Sequence, residues 1–427
     1  ISEDGRTAQG LASKIWKRQA PDELLTIHTG SGRELSVTPN HPLFTTNNGM
    51  IFAKEAPDYD VGDRIAVPRR QRVNGELQRL SATTGKHYKN SRDYEQPSIL
   101  TPALAKLLGY LTGDGYIAED NSSAWISFTN NNDVVLEDYK ETFNSLFNQG
   151  LTTRKRNNAT ETYVTSQGLY NYLNDNFPGL TEPSSEKAVP TKIQRSKDDV
   201  VKAYIQAYFD ADGYVNEKKN HVSITTTSKE LADHTSYLLQ RFGIVARKRT
   251  KHKHATNTEE QRRVKAHQLI ITPNFLQTFA DEIGFGHPDK QETLRRTLTE
   301  HETNTNIDTV PNVESLLKEV RTNQGRTQAE MGVPRSTYAH YEQRNREPSR
   351  TTLKHIVNHV DTTDNQAYNV LEQIANAAIF WDTIRSVERV ENHDEYVYDF
   401  QVDRTHNYVA NGVVAHNSQL LKRISHV

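Results

Sequence analysis

The sequence predicts a multidomain protein in which an all-β domain is split by an α+β domain, with a small all-α region before the β domain resumes. Three observations predict this arrangement. A pattern of helix, Asp-Gly and strands occurs twice in the middle of the chain. Segments of alternating apolar and polar residues stand on both sides of it, and a run with helical apolar spacing follows the second copy.

Composition limits the classes of protein that the chain can belong to. Its 427 residues, 34% hydrophobic and 25% charged, suffice for two or three domains with cores. They contain no apolar run long enough to span a bilayer and no signal peptide, so we expect a soluble, cytoplasmic protein with no membrane partner. The absence of cysteine excludes disulfides, thiolate zinc sites and a cysteine nucleophile within this chain.

The net charge of -2 conceals several basic clusters. One such cluster is usually a solvated face. Four clusters interleaved with strand-like segments favour a nucleic-acid partner. The clusters are "VPRRQR" ending at Arg72, "TRKR" at 153–156, "ARKRTKHKH" at 246–254 and "QRRVK" at 261–265.

The first β segment, residues 1–80, contains "DELLTIHTGSGRELSVTPNHPLFTTNNG". Apolar and polar residues alternate in it between turn signals, which predicts strands and hairpins. Within it, Thr38 and His41 form a T-x-x-H arrangement. The segment is too short to bury a core by itself, so we expect it to share one β domain with a later segment.

The central repeat consists of "LLGYLTGDGYI" (Leu107 to Ile117) and "IQAYFDADGYV" (Ile205 to Val215). Each copy continues with a polar strand, a helix carrying Leu and Phe, and a basic strand, "GLTTRKR" or "GIVARKR". Two copies of one unit therefore lie in tandem, and we place them at residues 100–197 and 198–300.

Small residues predict that the two apolar helices pack together closely. Gly109 and Ala207 occupy matching positions, where a small side chain lets two helix backbones approach. Gly115 and Gly213 follow the helices, and we expect each to take the left-handed conformation that ends a helix.

Asp114 and Asp212 then come to the C-terminal ends of two neighbouring helices. Two carboxylates at the negative ends of helices are unfavourable unless a cation compensates them. A hard divalent ion such as Mg²⁺ does so, and a symmetric carboxylate pair suits two-metal phosphodiester cleavage. A single Asp-Gly would more simply be a turn, but two copies in matched contexts favour a site.

"LLGYLTGDG" and "IQAYFDADG" resemble the two signature helices of the LAGLIDADG homing endonucleases, with a departure at Thr112, where Asp is usual. The resemblance implies two pseudo-symmetric αββαββα halves in one monomeric endonuclease, which cuts double-stranded DNA of the uninterrupted host gene. It places Mg²⁺ at Asp114 and Asp212, and Lys187, in "SSEKAVPTKI", near the active site. The DNA-facing basic residues would be Arg154, Lys155, Arg156, Arg247, Lys248 and Arg249.

The all-α region, residues 308–375, contains "TQAEMGVPRSTYAHYEQ". The pattern predicts a helix, a turn at Gly332 and a second helix starting near Pro334. It resembles the Cro/repressor type of helix-turn-helix, whose second helix faces DNA. The DNA-facing residues implied are Arg335, Ser336, Thr337 and His340. The alternative is a helical linker that packs against the endonuclease.

The second β segment, residues 380–417, contains "EYVYDFQVDRTHNYVANGVVAHN" and again predicts strands. Together with Thr38 and His41, its polar residues form an ordered set that resembles the splicing motifs of inteins. The resemblance implies an intein with a Hint-type horseshoe β domain split around the endonuclease. The further residues of the set are Asp399, His406, His416, Asn417 and Ser418.

By this resemblance, Thr38 and His41 polarise the N-terminal scissile peptide, and Asp399 helps to arrange the attack. Ser418 accepts the N-terminal flank as an ester. Asn417 then cyclises and releases the downstream peptide, assisted by His406 and His416 through hydrogen bonding and proton transfer.

We expect the two ends of the chain to differ in origin. An intein opens with Cys, Ser or Thr, whereas position 1 is Ile1, and His41 falls early, so we expect an N-terminal splicing segment to be missing or separately encoded. Residues 418–427, "SQLLKRISHV", would belong to the host protein. They resemble the residues after the Walker A lysine of archaeal MCM helicases, which would make Ser418 a Mg²⁺-binding residue of the P-loop.

Two other interpretations were weighed. The chain could be a splicing-only remnant that binds DNA with an inactive nuclease, although both Asp114 and Asp212 are intact. It could also be a Hedgehog-like autoprocessing domain, which Asn417 before Ser418 disfavours because that pathway needs no C-terminal Asn.

Overall fold

The computed structural model describes residues 2, 5–83, 94–119, 123–254, 263–300, 307–360 and 365–417. Two compact units form, one from Ile1–Arg72 and Thr303–Val427 and the other from Val73–Glu302. Residues 73–80, which we assigned to the first β segment, fall in the second unit, where Glu76 bridges Ser196. No helix in the described part of the chain is both long and apolar enough to cross a membrane.

The strands and helices are numbered in chain order. The strands are β1 (Lys14–Gln19), β2 (Glu23–Thr29), β3 (Glu34–Val37), β4 (Pro42–Asn47), β5 (Met50–Glu55), β6 (Arg64–Pro68), β7 (Gly115–Glu119), β8 (Ala124–Asn130), β9 (Thr152–Arg156), β10 (Ala159–Thr165), β11 (Tyr214–Asn216), β12 (His221–Thr226), β13 (Arg247–His254), β14 (Arg263–Ile271), β15 (Ile379–Glu391), β16 (Tyr396–Gln401), β17 (Asn407–Ala410) and β18 (Val413–His416). The helices are α1 (Pro102–Gly113), α2 (Asp133–Phe147), α3 (Gln167–Asn176), α4 (Thr191–Gln194), α5 (Asp198–Asp212), α6 (Lys229–Arg241), α7 (Pro273–Glu282), α8 (Pro288–Glu300), α9 (Glu314–Asn323), α10 (Arg335–Glu342), α11 (Arg350–His359) and α12 (Gln366–Asn376).

In the first unit, strands from the two ends of the chain pair with each other. One sheet has the order β3-β2-β15-β6, a second β17-β18-β4-β5, and β1 pairs with β16 in a two-stranded ribbon. The long strand β15 pairs antiparallel with both β2 and β6. Trp381 on β15 is 1% exposed and packs with Ile379, Ala66 and Val414. The two β segments therefore form one β domain interrupted by an insertion, as the sequence predicts.

Helices α9 to α12 belong to this same unit and share an apolar core that includes Leu317, Met331, Tyr338 and Leu353. The first helix predicted for the helix-turn-helix is only the short 3-10 turn Gln328–Glu330. Gly325 (φ +64°) and Gly332 (φ +78°) both turn the chain with left-handed backbone and leave no room for a longer helix between them. The second helix, α10, starts directly after Pro334 as predicted.

The second unit contains the two copies of the repeat. Each copy has the element order αββαββα, first α1 to α3 and then α5, α6 and α7 with their strands. Their sheets have matching orders, β7-β8-β10-β9 and β11-β12-β14-β13. The structure therefore confirms the tandem repeat.

Helices α1 and α5 touch along the small residues that the sequence singled out. A β-carbon added to Gly109 would lie 2.3 Å from the carbonyl oxygen of Tyr204 and 2.9 Å from the β-carbon of Ala207. Because such distances are sterically forbidden, only glycine allows this approach of the two backbones. The predicted close packing is confirmed.

The predicted left-handed glycines at the ends of these helices are wrong. Gly213 has φ -71° and ψ 146°, and Gly115 is not among the residues with positive φ. Glycine is needed there for space instead: a β-carbon would lie 2.3 Å from the carbonyl oxygen of Leu111 at the first site and 2.4 Å from that of Phe209 at the second. In both copies of the repeat, the backbone enters the strand in direct contact with the last turn of the helix.

Candidate functional site

Asn417 follows strand β18 and is held on several sides. Its backbone N–H donates to the carbonyl oxygen of His406 at 2.9 Å, and its side-chain Nδ2 donates to that of Val402 at 3.1 Å. The carbonyl oxygen of Asn417 lies 2.6 Å from His416 Nδ1. With the residue only 9% exposed, its amide and its own carbonyl are fixed in a largely dry environment.

A tight hairpin brings His406 and His416 together. Asn411 (φ +48°) and Gly412 (φ +78°) form its two-residue loop, the arrangement that Asn-Gly favours. The ladder of β17 and β18 ends at the pair Asn407 and His416. His406, itself left-handed at φ +53°, lies next in the chain, and its ring stacks on that of His416 with centroids 6.5 Å apart.

A second group of polar side chains lies around His41. The hydroxyl of Tyr408 donates to Asp399 Oδ1 at 2.9 Å and lies 3.5 Å from His41 Nε2. Thr38 donates to Asn40 Oδ1 at 2.9 Å. A cavity of about 780 Å³ is lined by all five residues, so the structure brings Thr38, His41 and Asp399 to one place.

Burial lowers the pKa of His41; the charge of Asp399 raises it and that of His416 lowers it further. His416 therefore lies close enough to His41 for its charge to disfavour protonation of that imidazole. Burial also raises the pKa of Tyr408, which keeps its hydroxyl protonated. Sequence reasoning missed Tyr408, although it stands two residues after His406 in "THNYVANG". Ser418 lies outside the described residues.

The acidic pair of the second unit lies at the paired ends of α1 and α5. Asn130 Nδ2 donates to Asp114 Oδ2 at 2.8 Å, and burial raises the pKa of Asp114. The carboxyl carbon of Asp212 lies 3.6 Å from the position of a β-carbon on Gly113, the residue before Asp114. The two carboxylates are therefore neighbours, as the repeat predicts.

Two lysines, of which Lys187 is buried and Lys290 half-buried, complete this cluster. Lys187 Nζ donates to the carbonyl oxygens of Leu111, Thr112 and Gly115 at 3.1 to 3.4 Å, at the end of α1. Lys290 Nζ does the same at the end of α5, with the carbonyl oxygens of Phe209, Asp210 and Ala211 at 2.6 to 3.3 Å. Burial lowers the pKa of both lysines, and the charges of Asp114 and Asp212 oppose that shift.

Sequence reasoning found Lys187 but missed Lys290. The signal was present in the repeat, because Lys187 follows Asp114 by 73 residues and Lys290 follows Asp212 by 78. The lysines differ in their surroundings, since Lys187 lies in a loop and Lys290 on α8. The presence of one lysine ammonium at the end of each helix shows that the pseudo-symmetry extends to the cluster.

The chemistry of the donors suits a hard cation. Asp114 is a half-buried carboxylate whose charged form is disfavoured by desolvation, and Asp212 lies beside it. A divalent ion relieves that cost and accepts oxygen ligands such as these. Within the described residues no group of three or more His, Asp or Glu side chains lies together in a way that could hold a metal.

The basic strand β9 carries Arg154 and Arg156, and both bond Glu161 on β10, at 2.5 and 2.7 Å. Hydrogen bonds from these arginines lower the pKa of Glu161 to about 2, so it is ionised at neutral pH. The guanidinium of Arg154 also lies 4.9 Å from the ring centroid of Trp125. These contacts fix the arginines on one face of the sheet, while Lys155 is exposed.

The remaining basic residues differ in which face of their strand or helix they occupy. On β13, Lys248 pairs with Asp233 of α6 and is only 11% exposed, so it lies on the helical side of its sheet. Alternation along the strand places Arg247 and Arg249 on the opposite side. In α10, Tyr338 and Tyr341 are buried. The predicted residues Arg335, Ser336 and His340 are exposed, and Thr337 is half-buried.

Two relatives are similar to this chain over about three quarters of its length. Replication factor C small subunit of Methanocaldococcus jannaschii is 30% identical over 314 residues, which are 73% of this chain and 15% of that protein. A glutamine--fructose-6-phosphate aminotransferase of the same organism is 27% identical over 339 residues, or 78% of this chain and 28% of that protein. The chain thus spans less than a third of the length of either relative.

Among solved structures, the homing endonuclease I-DmoI is similar with a TM-score of 0.33 and 16% identity, covering 43% of this chain and 88% of that chain. The homing endonuclease I-WcaI, bound to its DNA recognition sequence, gives 0.32 and 15%, covering 50% and 94%. Both TM-scores are low.

The family model described as "Intein splicing domain" matches residues 2–417. This range begins in the first β segment and ends at Asn417, the residue whose amide and carbonyl the structure fixes beside His416. The chain belongs to the intein splicing domain family.

Proposed function

We propose that this chain is an intein whose β domain cleaves the peptide bond after Asn417 as part of protein splicing. The observation that carries the proposal is the 2.6 Å approach of His416 Nδ1 to the carbonyl oxygen of Asn417, next to a buried side-chain amide. A protonated Nδ1 donates to that oxygen and makes the carbonyl carbon a better electrophile.

The cleavage step uses only groups of the junction. The Nδ2 atom of Asn417 attacks the carbonyl carbon of the same residue, and a five-membered succinimide forms. The bond from that carbon to the nitrogen of Ser418 breaks, and one proton moves from Nδ2 to the departing nitrogen. His416 stabilises the oxygen during the attack, and the His406 carbonyl holds the Asn417 backbone in place.

The group around His41 suits the acyl transfer that precedes this cleavage. His41, with its pKa lowered by burial, is largely neutral near pH 7 and can both accept and donate a proton. Asp399, bonded to Tyr408, lies in the same cavity as Thr38. In this proposal Thr38 and His41 polarise the N-terminal scissile peptide, and the Ser418 hydroxyl accepts the N-terminal flank as an ester.

The C-terminal step is tested by the intact mass of the purified chain during incubation at neutral pH. We expect loss of residues 418–427 and a succinimide or its hydrolysis product at Asn417. The Asn417→Ala variant should keep its full mass. Cleavage that persists in this variant, or a wild-type mass that never changes, overturns the proposed step.

We infer that the second unit is a site-specific, divalent-metal-dependent DNA endonuclease. The observation that favours this second function is the cluster of two adjacent carboxylates with one lysine at the end of each helix. Mg²⁺ held by Asp114 and Asp212 would stabilise charge on the phosphate and acidify a water molecule. Lys187 and Lys290 place their ammonium groups beside the carboxylates, where they offset charge on the scissile phosphates.

The strands offer a basic surface for double-stranded DNA. Arg154, Lys155 and Arg156 on β9 match Arg247, Lys248 and Arg249 on β13 in the repeat, although the contacts of Lys248 suit a structural role. Two sheets related by pseudo-symmetry suit a duplex read by one monomer. The exposed face of α10, with Arg335, Ser336, Thr337 and His340, would add contacts.

The nuclease is tested on a plasmid library whose fixed half-site is the DNA that encodes residues 418–427 and whose other half is randomised. We expect linear plasmid with Mg²⁺ and none with EDTA. The Asp114→Asn and Asp212→Asn variants should not cut the plasmid, whereas they should lose residues 418–427 at the same rate as the wild type. Linear product that is equal in these variants would overturn the assignment, and no product from the wild type would favour a DNA-binding remnant.

The host of the intein is proposed from the last ten residues alone. "SQLLKRISHV" suits a segment that follows a Walker A lysine, as in an archaeal MCM helicase, where Ser418 would bind Mg²⁺. The two relatives described above carry unrelated names, which suits an element that moves between host proteins. Sequencing of the encoding gene on both sides of this chain tests the host directly.

A further inference from the structure

Asp210 is a buried carboxylate on α5, two residues before Asp212, and only 2% of it is exposed. Its two oxygens accept from different backbone groups of the segment between α7 and α8. Oδ2 accepts from the N–H of Gly286 at 3.1 Å, and Oδ1 from that of His287 at 2.9 Å. A β-carbon on Gly286 would lie 2.7 Å from Oδ2, so carboxylate and segment fit without spare space.

This segment leads directly into α8, which begins at Pro288 and carries Lys290 within its first turn. The Lys290 ammonium returns to α5 and donates to the carbonyl oxygens of Asp210 at 2.6 Å and Ala211 at 3.1 Å. Carbonyls in the last turn of a helix lack partners within the helix, and an ammonium satisfies them. Asp210 therefore binds the two residues directly before α8, and α8 carries the lysine whose ammonium lies near the Asp114 and Asp212 pair.

The first half of the repeat holds its lysine differently. Thr112 stands at the position that matches Asp210, and its hydroxyl bonds the carbonyl of Leu108 and the hydroxyl of Tyr204 at 2.8 and 2.9 Å. The loop of Lys187 is fixed by Ser228, whose hydroxyl donates to the Lys187 carbonyl at 2.6 Å. Loss of the Asp210 contacts would thus affect one lysine and leave the other in place.

We propose that Asp210 is a positioning residue, which fixes the start of α8 and thereby places the Lys290 ammonium at the end of α5. This inference rests on the proposed endonuclease for its catalytic consequence, but the placement of Lys290 can be tested without cleavage. Because each half of a pseudo-symmetric site serves one scissile phosphate, the consequence concerns one DNA strand.

The test of placement is lysine labelling by reductive methylation in Mg²⁺-free buffer, followed by peptide mass spectrometry. In Asp210→Asn, Nδ2 cannot accept from a backbone N–H, so we expect Lys290 to react about tenfold faster than in the wild type. Lys187 in the same digest should react at its wild-type rate. The matched variant Thr112→Val should leave Lys290 unchanged.

Gly286→Ala disturbs the same contact, because its β-carbon would lie 2.7 Å from Asp210 Oδ2. It replaces Asp210→Asn in the test if that variant fails to fold. Unchanged Lys290 labelling in a folded Asp210→Asn or Gly286→Ala variant overturns the proposal, as does an equal rise at Lys187. On plasmid DNA we expect the variants to accumulate nicked circles where the wild type gives linear product. If the wild type does not cut, the endonuclease proposal fails while the labelling still decides the role of Asp210.

Discussion

His416 Nδ1 lies 2.6 Å from the carbonyl oxygen of Asn417, and the two residues are adjacent in the chain. The contact depends on the Asn411-Gly412 loop, which sets the register of β17 and β18. In the proposed cleavage, this short distance would assist the attack only through a proton that Nδ1 donates to the carbonyl oxygen.

The first prediction is that His416→Ala slows loss of residues 418–427 by about 100-fold, the lower range of general acid catalysis. The reason is that the carbonyl oxygen of Asn417 loses its imidazole partner. Intact mass against time measures the rate. His393→Ala is the matched control, since His393 is exposed, and it should cleave at the wild-type rate. Equal rates in the two variants would show that His416 plays no part.

The second prediction concerns the pKa of His41, measured by NMR titration. Burial holds this pKa below its ordinary value of 6.5, so we expect a lowered value in the folded wild type. Asp399→Asn should lower it further, because the carboxylate raises it, and His416→Ala should raise it, because the second imidazole lowers it. Shifts of the opposite sign in either variant would contradict the arrangement in the cavity.

The same shift predicts how stability depends on pH. Between the lowered pKa of His41 in the folded chain and its unfolded value of about 6.5, the unfolded chain binds a proton at His41 that the folded chain does not. The contribution of this residue to stability is therefore fully present above about pH 6.5 and is lost as the pH falls through the folded pKa. The His41→Gln variant should lose less stability than the wild type between pH 7 and 5, as measured by urea unfolding. A steeper loss in the variant would contradict the prediction.

The fourth prediction concerns the contact of α1 and α5. Gly109→Ala should destabilise the second unit by about 1–3 kcal/mol, because its β-carbon has no space against Tyr204. Gly168→Ala, in α3, is the control: its β-carbon would meet only Ser166 Oγ at 4.0 Å, and alanine favours helix. Urea unfolding of both variants measures the difference. A Gly109→Ala variant as stable as Gly168→Ala would show that the helices do not approach this closely.

Residue patterns predicted the parts of the fold that local chemistry controls. The Asp-Gly repeat, with Gly109 at its contact position, predicted two paired helices with adjacent carboxylates. Alternation predicted the β segments but not that β15 pairs with both β2 and β6, because pairing between distant strands is set by tertiary packing. Tyr408 was missed for the same reason, since it joins Asp399 to His41 from another strand.

The last prediction concerns Mg²⁺ and the stability of the second unit. Asp114 is a half-buried carboxylate whose charged form is disfavoured by desolvation, so Asp114→Asn should melt at a higher temperature than the wild type in EDTA. Addition of Mg²⁺ should raise the melting temperature of the wild type, because a ligand of the folded state stabilises it. Addition of Mg²⁺ should not raise the melting temperature of Asp114→Asn. The control is Asp138→Asn, which removes a carboxylate paired with Lys106 and should keep the response to Mg²⁺. An Mg²⁺ response that survives in Asp114→Asn would place the ion elsewhere.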